Sequence, residues 1–234
     1  MAAAFLLTVL AMAGVVAGVL VGESQKLSCY LAAAGGGLLF GISLFWLVPE
    51  IAAASGWFPA SSLTLAAFLA LAWVDRAFMH HRRASGRIIL KPILTAVAVH
   101  SFLDGWSIRA IESLRMASLT APLGLALHKI PEGVAIGWIC RQSLGSAAKA
   151  AGVGIAAELV TLIGALVEPN ASASGSAAFG TWWTSAVISV VSGSFLFFGA
   201  HAILPNLRRA GVVLVFVATL LAVATIGLVK SGST

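Results

Sequence analysis

Two histidine–carboxylate pairs recur in the middle of the chain. His100 precedes Asp104 by four residues, and His128 precedes Glu132 by the same interval. On a helix, residues four apart lie one above the other on the same face, so each pair directs an imidazole and a carboxylate towards one point. Imidazole with carboxylate suits a borderline divalent metal such as zinc. The spacing therefore predicts a metal site with two ligands from each of two segments.

Both pairs lie in strongly apolar surroundings. Of the 234 residues, 60% are hydrophobic and only 9% are charged, a balance that soluble globular domains do not have. The composition predicts a polytopic membrane protein. An ionised Asp or Lys at the centre of a membrane helix costs roughly 2.5–3.5 kcal/mol on translocon scales, so ionisable residues there predict a functional use.

Apolar runs long enough to cross a bilayer predict the elements that position these pairs. We expect an all-α fold of eight transmembrane helices in a single transporter domain, residues 1–234, with a short cytoplasmic loop at about residues 80–91 between helices three and four. The first run has no basic segment before it and no signal-cleavage pattern after it, so we expect it to remain as a helix. The predicted helices span about 2–21, 30–53, 61–79, 89–111, 119–140, 146–167, 181–204 and 211–229.

The basic residues predict the orientation. They concentrate at the odd-numbered connections, which are expected in the cytoplasm, so both termini are predicted to be extracytoplasmic, in a plasma (inner) membrane. The net charge of +6 is spread over single residues and pairs between apolar runs, which argues against nucleic acid as a partner. The basic residues at the odd connections are Lys26, Arg82, Arg83, Arg87, Lys91, Arg141, Lys149, Arg208 and Arg209.

Two further ionisable residues complicate the predicted site. Glu158 lies in helix six and could either pair with Lys129 or bind or support the metal. Lys129 cannot be a ligand while protonated, and its ammonium could occupy the place of a second cation. One metal is therefore expected rather than two. Because helices four and five are consecutive, they run antiparallel, and an inverted repeat of this kind is how many transporters place a site near the bilayer midplane.

The two motifs resemble those of the ZIP (Zrt/Irt-like protein) family of divalent metal transporters. They read His100-Ser-Phe-Leu-Asp104-Gly and His128-Lys-Ile-Pro-Glu132-Gly, and the number of helices and the basic loop between helices three and four also agree. The resemblance implies a 3+2+3 arrangement, in which helices one to three and six to eight are related by inversion around helices four and five.

The resemblance also implies a set of ligands and a substrate. His100, Asp104, His128 and Glu132 would form the metal site, and the helix-six glutamate, here Glu158, often joins a neighbouring second site. Zinc is expected first, with Fe²⁺, Mn²⁺, Co²⁺ and Cd²⁺ as alternatives, moved into the cytoplasm. The chain departs from the family pattern at Ser101, where Asn is frequent, at Lys129, where some members have a metal-binding side chain, and at Trp46, where many have histidine.

The sequence thus predicts a membrane transporter of divalent metal and not an enzyme. The metal is its substrate, no cofactor is expected, the bilayer is its other partner, and a homodimer is one open alternative for its assembly. The competing hypothesis is an intramembrane zinc-dependent hydrolase, for which Glu158 is the candidate general base. The absence of an H-E-x-x-H motif and the symmetric placement of the ligands favour the transporter.

Overall fold

Helices account for the secondary structure in the computed structural model, which describes residues 1–21, 24–82, 90–113, 120–172 and 177–231. Within these ranges there are eight helices, two of which consist of consecutive helical stretches, so the prediction of an all-α fold with eight helices is confirmed. They are α1 (Ala2–Val21), α2 (Gln25–Ile42, then a π-helical stretch Ser43–Leu47 and a further α-helical stretch Val48–Ser55), α3 (Trp57–Arg82), α4 (Leu90–Ser113), α5 (Thr120–Leu144), α6 (Ala147–Glu158 and Val160–Ser172), α7 (Ala177–Ile203, followed by a 3₁₀ turn Leu204–Asn206) and α8 (Ala210–Ser231).

Six of these helices are long and apolar enough to cross a membrane: α1, α2, α3, α6, α7 and α8. The chain is therefore an integral membrane protein. The remaining two, α4 and α5, carry the two histidine–carboxylate pairs. The side of the membrane on which the termini lie stays a prediction.

Short polar caps and one glycine determine where several helices start. The Ser24 hydroxyl accepts a hydrogen bond from the Leu27 amide at 3.3 Å, and Ser146 does the same at the start of α6. Gly56, with a φ of 90°, alone separates α2 from α3. This connection is shorter than expected because Pro59 lies in the first turn of α3, where its missing N–H leaves no helical bond unmade.

The predicted loop at about residues 80–91 is also narrower than expected. Residues 80–82 belong to α3, and α4 begins at Leu90. Residues 83–89 lie outside the described part of the chain.

The helices contact one another in a regular pattern of pairs. The α1 helix packs along α5, α4 along α6, α2 along α8 and α3 along α7, while α2 also packs against α7, and α4 against α5. Exchanging α1 with α6, α2 with α7, α3 with α8 and α4 with α5 turns each of these contacts into another contact of the same set. This exchange relates the two helices that carry the ionisable pairs to each other.

Two glycines allow α4 and α6 to approach closely beside the ionisable residues. A Cβ atom at Gly105 would overlap the carbonyl oxygen of Thr161, and one at Gly164 would overlap the carbonyl oxygen of Phe102. Each glycine thus accommodates backbone of the opposite helix, as small residues do in membrane helix pairs. This contact holds α4 against α6 at the residue that follows Asp104.

Polar side chains also join α2 to its neighbours at the π-helical stretch. The Ser43 hydroxyl lies 2.7 Å from the Ser192 hydroxyl in α7, and Trp46 Nε1 donates to the Val223 carbonyl in α8 at 3.1 Å. Trp46 is almost completely buried. Its position is thus explained by packing between α2 and α8.

Candidate metal centre

The two histidine–carboxylate pairs converge between α4 and α5. His100, Asp104, His128 and Glu132 each offer one ligand atom, and these four atoms all lie within 4.8 Å of one another. The i, i+4 spacing on each helix and the α4–α5 contact together produce this convergence. The group could hold a metal ion.

The distances within the group suit a small divalent cation. Asp104 Oδ2 lies 3.5 Å from His100 Nε2 and 3.1 Å from His128 Nε2. Glu132 lies 3.8 Å from His100 Nε2 through Oε1 and 3.6 Å from His128 Nε2 through Oε2. A tetrahedral zinc site with bonds of about 2.0–2.1 Å places neighbouring ligand atoms about 3.3 Å apart. The four histidine–carboxylate distances are close to that spacing, and all four ligand atoms lie within 4.8 Å of one another.

The group is buried near the mid-height of its helices. The side chains of Asp104 and His128 are fully buried, and that of Glu132 is 12% exposed. His100 and Asp104 lie close to the middle of Leu90–Ser113, and Glu132 lies close to the middle of Thr120–Leu144, which continues through Pro131. The ligand atoms are therefore far from both ends of the two helices.

Lys129 lies against the same group and is fully buried. Its Nζ lies 2.8 Å from Asp104 Oδ2, 2.8 Å from Glu132 Oε2 and 3.2 Å from Glu158 Oε2. The ammonium thus bridges carboxylates from three helices. Since two of these oxygens are also candidate metal ligands, the ammonium and a bound metal would share them.

The buried charges do not balance within this cluster. With the carboxyl groups of Asp104, Glu132 and Glu158 ionised, the single ammonium of Lys129 leaves a formal charge of −2. Uncompensated buried charge costs several kcal/mol per ion even after relaxation. One divalent cation bound by two neutral imidazoles would cancel this charge.

Glu158 is part of the cluster through Lys129 and Ser101. Its Oε2 accepts a hydrogen bond from the Ser101 hydroxyl at 2.9 Å as well as from Lys129, and it is not among the four residues with converging ligand atoms. Its other oxygen, Oε1, and Asp104 Oδ1 are buried with no hydrogen-bond partner among the described residues. The sequence left Glu158 open between pairing with Lys129 and serving the metal, and its contacts are those of a partner to Lys129.

The α7 helix contributes residues that the sequence analysis did not identify. Phe195 is fully buried, and its ring centroid lies 4.3 Å from that of His128 and 5.8 Å from that of His100. The Ser194 hydroxyl lies 3.3 Å from His100 Nδ1. The one available signal was a set of serines inside an apolar helix at positions 185, 189, 192 and 194, which are all buried.

Among the described residues, no other histidine, aspartate or glutamate joins the four converging ligand atoms. His201 Nε2 lies 3.1 Å from Asp75 Oδ2 at the surface, where α3 and α7 meet. Glu50 is partly buried in Val48–Ser55. The side chains of His80 and His81 lie outside the described part of the structure.

Comparison with known proteins identified no relative, since no protein-family model and no curated protein matches the chain. The site is therefore interpreted from its own residues and geometry.

Proposed function

We propose that this protein is a ZIP-like transporter that carries a divalent metal ion, zinc first, across the membrane into the cytoplasm. His100, Asp104, His128 and Glu132 would bind the ion during its passage. The observation that carries the proposal is the convergence of these four buried side chains near the middle of two helices in a membrane protein. The ion is the substrate, and the chain is proposed to act as a transporter and not as an enzyme.

The charge of the cluster supports a divalent substrate. Three carboxylates and one ammonium leave a deficit that a 2+ ion would cancel. Two imidazoles among the ligands favour zinc and similar transition metals over magnesium and calcium, which prefer oxygen ligands. Fe²⁺, Mn²⁺, Co²⁺ and Cd²⁺ remain alternative substrates on the same grounds.

The arrangement of the helices supports transport over static storage of a metal. The exchange of helices that preserves the contact pattern is the one expected of a 3+2+3 inverted repeat, with α4 and α5 exchanging with each other. Irregular backbone also lies near the centre: α2 contains a π-helical stretch, and α6 is interrupted at Leu159, directly after Glu158. Interrupted helices beside a central ion site are typical of transporters with alternating access.

Lys129 supports a site for one ion. Its ammonium occupies the space between Asp104, Glu132 and Glu158, where a second cation would otherwise bind the same oxygens. The resemblance to the ZIP family rests on the two motifs. Lys129 is the residue that argues most strongly against a site for two metal ions in this chain.

Zinc uptake into liposomes tests the proposal. Purified protein is reconstituted into vesicles that contain a zinc-sensitive dye, and uptake is compared with that of Glu132→Gln and His128→Ala. Each variant removes one ligand, so we expect uptake to fall by more than roughly 10-fold. Uptake by Asp75→Asn is the matched control, because this variant removes a carboxylate that pairs with His201 at the surface, outside the group of proposed ligands.

The same vesicles distinguish the competing zinc hydrolase. If the wild-type protein hydrolyses a lipid or peptide and passes no zinc, the proposal is wrong. If zinc enters at equal rates with wild-type protein, Glu132→Gln and His128→Ala, these residues do not form the pathway.

A further inference from the structure

The Ser194 hydroxyl lies within hydrogen-bonding distance of two groups, a backbone carbonyl oxygen and a ring nitrogen of His100. Its Oγ lies 2.7 Å from the carbonyl oxygen of Val191 and 3.3 Å from His100 Nδ1. A carbonyl oxygen can only accept, so the single hydroxyl proton is used in the shorter contact with Val191. The Ser194 oxygen then remains as an acceptor towards His100.

This proton assignment determines the tautomer of His100. A hydrogen bond to an accepting oxygen requires His100 Nδ1 to carry the proton, and a neutral imidazole then has its lone pair on Nε2. Nε2 is the nitrogen that lies 3.5 Å from Asp104 Oδ2 and 3.8 Å from Glu132 Oε1. The Nε2 lone pair then faces the space beside these two carboxylate oxygens, where a bound cation would lie.

We infer that Ser194 is a positioning residue for the metal site: it holds His100 in the Nδ1–H tautomer, with Nε2 ready to bind the ion. The inference deepens the proposed function and rests on it. It makes α7 a functional part of a site whose ligands all come from α4 and α5. Metal-binding histidines are commonly held in this way by an acceptor at the other ring nitrogen.

Ser189 in the same helix shows that the backbone contact alone does not account for Ser194. Its hydroxyl is also buried and donates to a carbonyl, that of Ser185 at 2.8 Å. Such back-bonding is ordinary for serine within helices. Ser194 differs by its additional contact with His100, so Ser189→Ala is a matched control for Ser194→Ala.

The tautomer is measured directly by ¹⁵N NMR of histidine-labelled protein with zinc removed, at about pH 8.5, above the usual titration range of imidazole. The His100 signals are assigned by their loss in His100→Gln. We expect a protonated Nδ1 and an unprotonated Nε2 in the wild-type protein and in Ser189→Ala. In Ser194→Ala we expect a large fraction of the Nε2–H form, and Ser194→Thr, which keeps the hydroxyl, should restore the wild-type spectrum.

Zinc affinity provides the second measurement. Because the wrong tautomer must be converted before Nε2 can bind, we expect Ser194→Ala to bind zinc about 10-fold more weakly, with Ser189→Ala and Ser194→Thr close to wild type. A protonated Nε2 in metal-free wild-type protein, or equal zinc affinities for Ser194→Ala and Ser189→Ala, would overturn the inference. Failure of the wild-type protein to bind zinc would instead overturn the proposed function, so the two failures are distinguishable.

Discussion

Lys129 is the residue that most directly affects how many cations the cluster accepts. Its ammonium is fully buried and contacts carboxylates from α4, α5 and α6. It therefore stabilises the cluster when no metal is bound, and with all three carboxyl groups ionised it leaves a formal charge of −2 for one divalent ion. A carboxylate at the same position would remove this built-in cation and add a ligand.

Replacement of Lys129 by methionine should destabilise the metal-free protein and increase its capacity for zinc. Removing one partner from a buried charge network costs roughly 3–5 kcal/mol, so thermal unfolding in the presence of a chelator should occur at a clearly lower temperature. Zinc should stabilise the variant more than the wild-type protein, because binding to the folded state shifts the unfolding equilibrium. Equilibrium dialysis should detect up to two zinc ions per chain, against one in the wild-type protein.

Lys149→Met is the matched control. Lys149 is exposed at the start of α6, so this substitution removes the same charge at a position away from the cluster. It should leave both measurements unchanged. A Lys129→Met protein that is as stable in chelator as the wild type would show that the ammonium does not stabilise the carboxylates.

The sequence predicted the convergence of His100, Asp104, His128 and Glu132 better than it predicted the residues that contact them. The i, i+4 spacing of His100 with Asp104 and of His128 with Glu132 is visible in the sequence because a helix converts it directly into a shared face. The contact between Ser194 and His100 joins residues 94 positions apart, and no local pattern encodes it. The same holds for Phe195, which in the sequence is one of many apolar residues in α7.

Among the elements, the pairing of α4 with α6 is what places Glu158 beside Ser101 and the proposed ligands. The pairing depends on glycine at two positions that face backbone of the other helix, Gly105 and Gly164. Small residues are needed here because a side chain would force the helices apart, whereas at Gly152 of α6 nothing lies within 4 Å of an added Cβ atom.

Gly105→Ala and Gly152→Ala should therefore differ in their effects on stability and on zinc binding. At Gly105 the added methyl group overlaps the Thr161 carbonyl, so we expect a loss of at least about 1–3 kcal/mol in stability and weaker zinc binding, because Asp104 is the preceding residue. At Gly152 nothing lies within 4 Å of the added atom, and alanine should be neutral or slightly stabilising in a helix. Thermal unfolding and zinc titration of both variants check this expectation, and equal effects at the two positions would contradict the described α4–α6 contact.

The sequence predicted the number and type of the elements but not their contacts. Apolar runs identify helices because a bilayer requires about 20 apolar residues per crossing. Their ends were predicted less well, since Ser24 and Gly56 start helices within segments that composition assigned to connections. The choice of neighbours depends on which faces fit together, and hydropathy does not contain that information.

In the whole molecule, the clustering of opposite charges explains how several ionisable groups can lie inside a membrane protein. Lys129 and three carboxylates lie in one cluster, and one divalent ion would complete its neutrality when these carboxyl groups are ionised. The cluster's residues on α4 and α5 lie close to the middle of these two helices. A transporter needs such a site because the ion must lose its hydration shell and later leave.

The most direct test is X-ray absorption at the zinc edge on purified, zinc-loaded protein, combined with metal quantification. We expect one zinc ion per chain, bound by imidazole nitrogen and carboxylate oxygen at about 2.0–2.2 Å, and loss of this ion in Glu132→Gln. A zinc ion coordinated by cysteine sulfur, or zinc retained equally by wild-type protein and Glu132→Gln, would contradict this expectation.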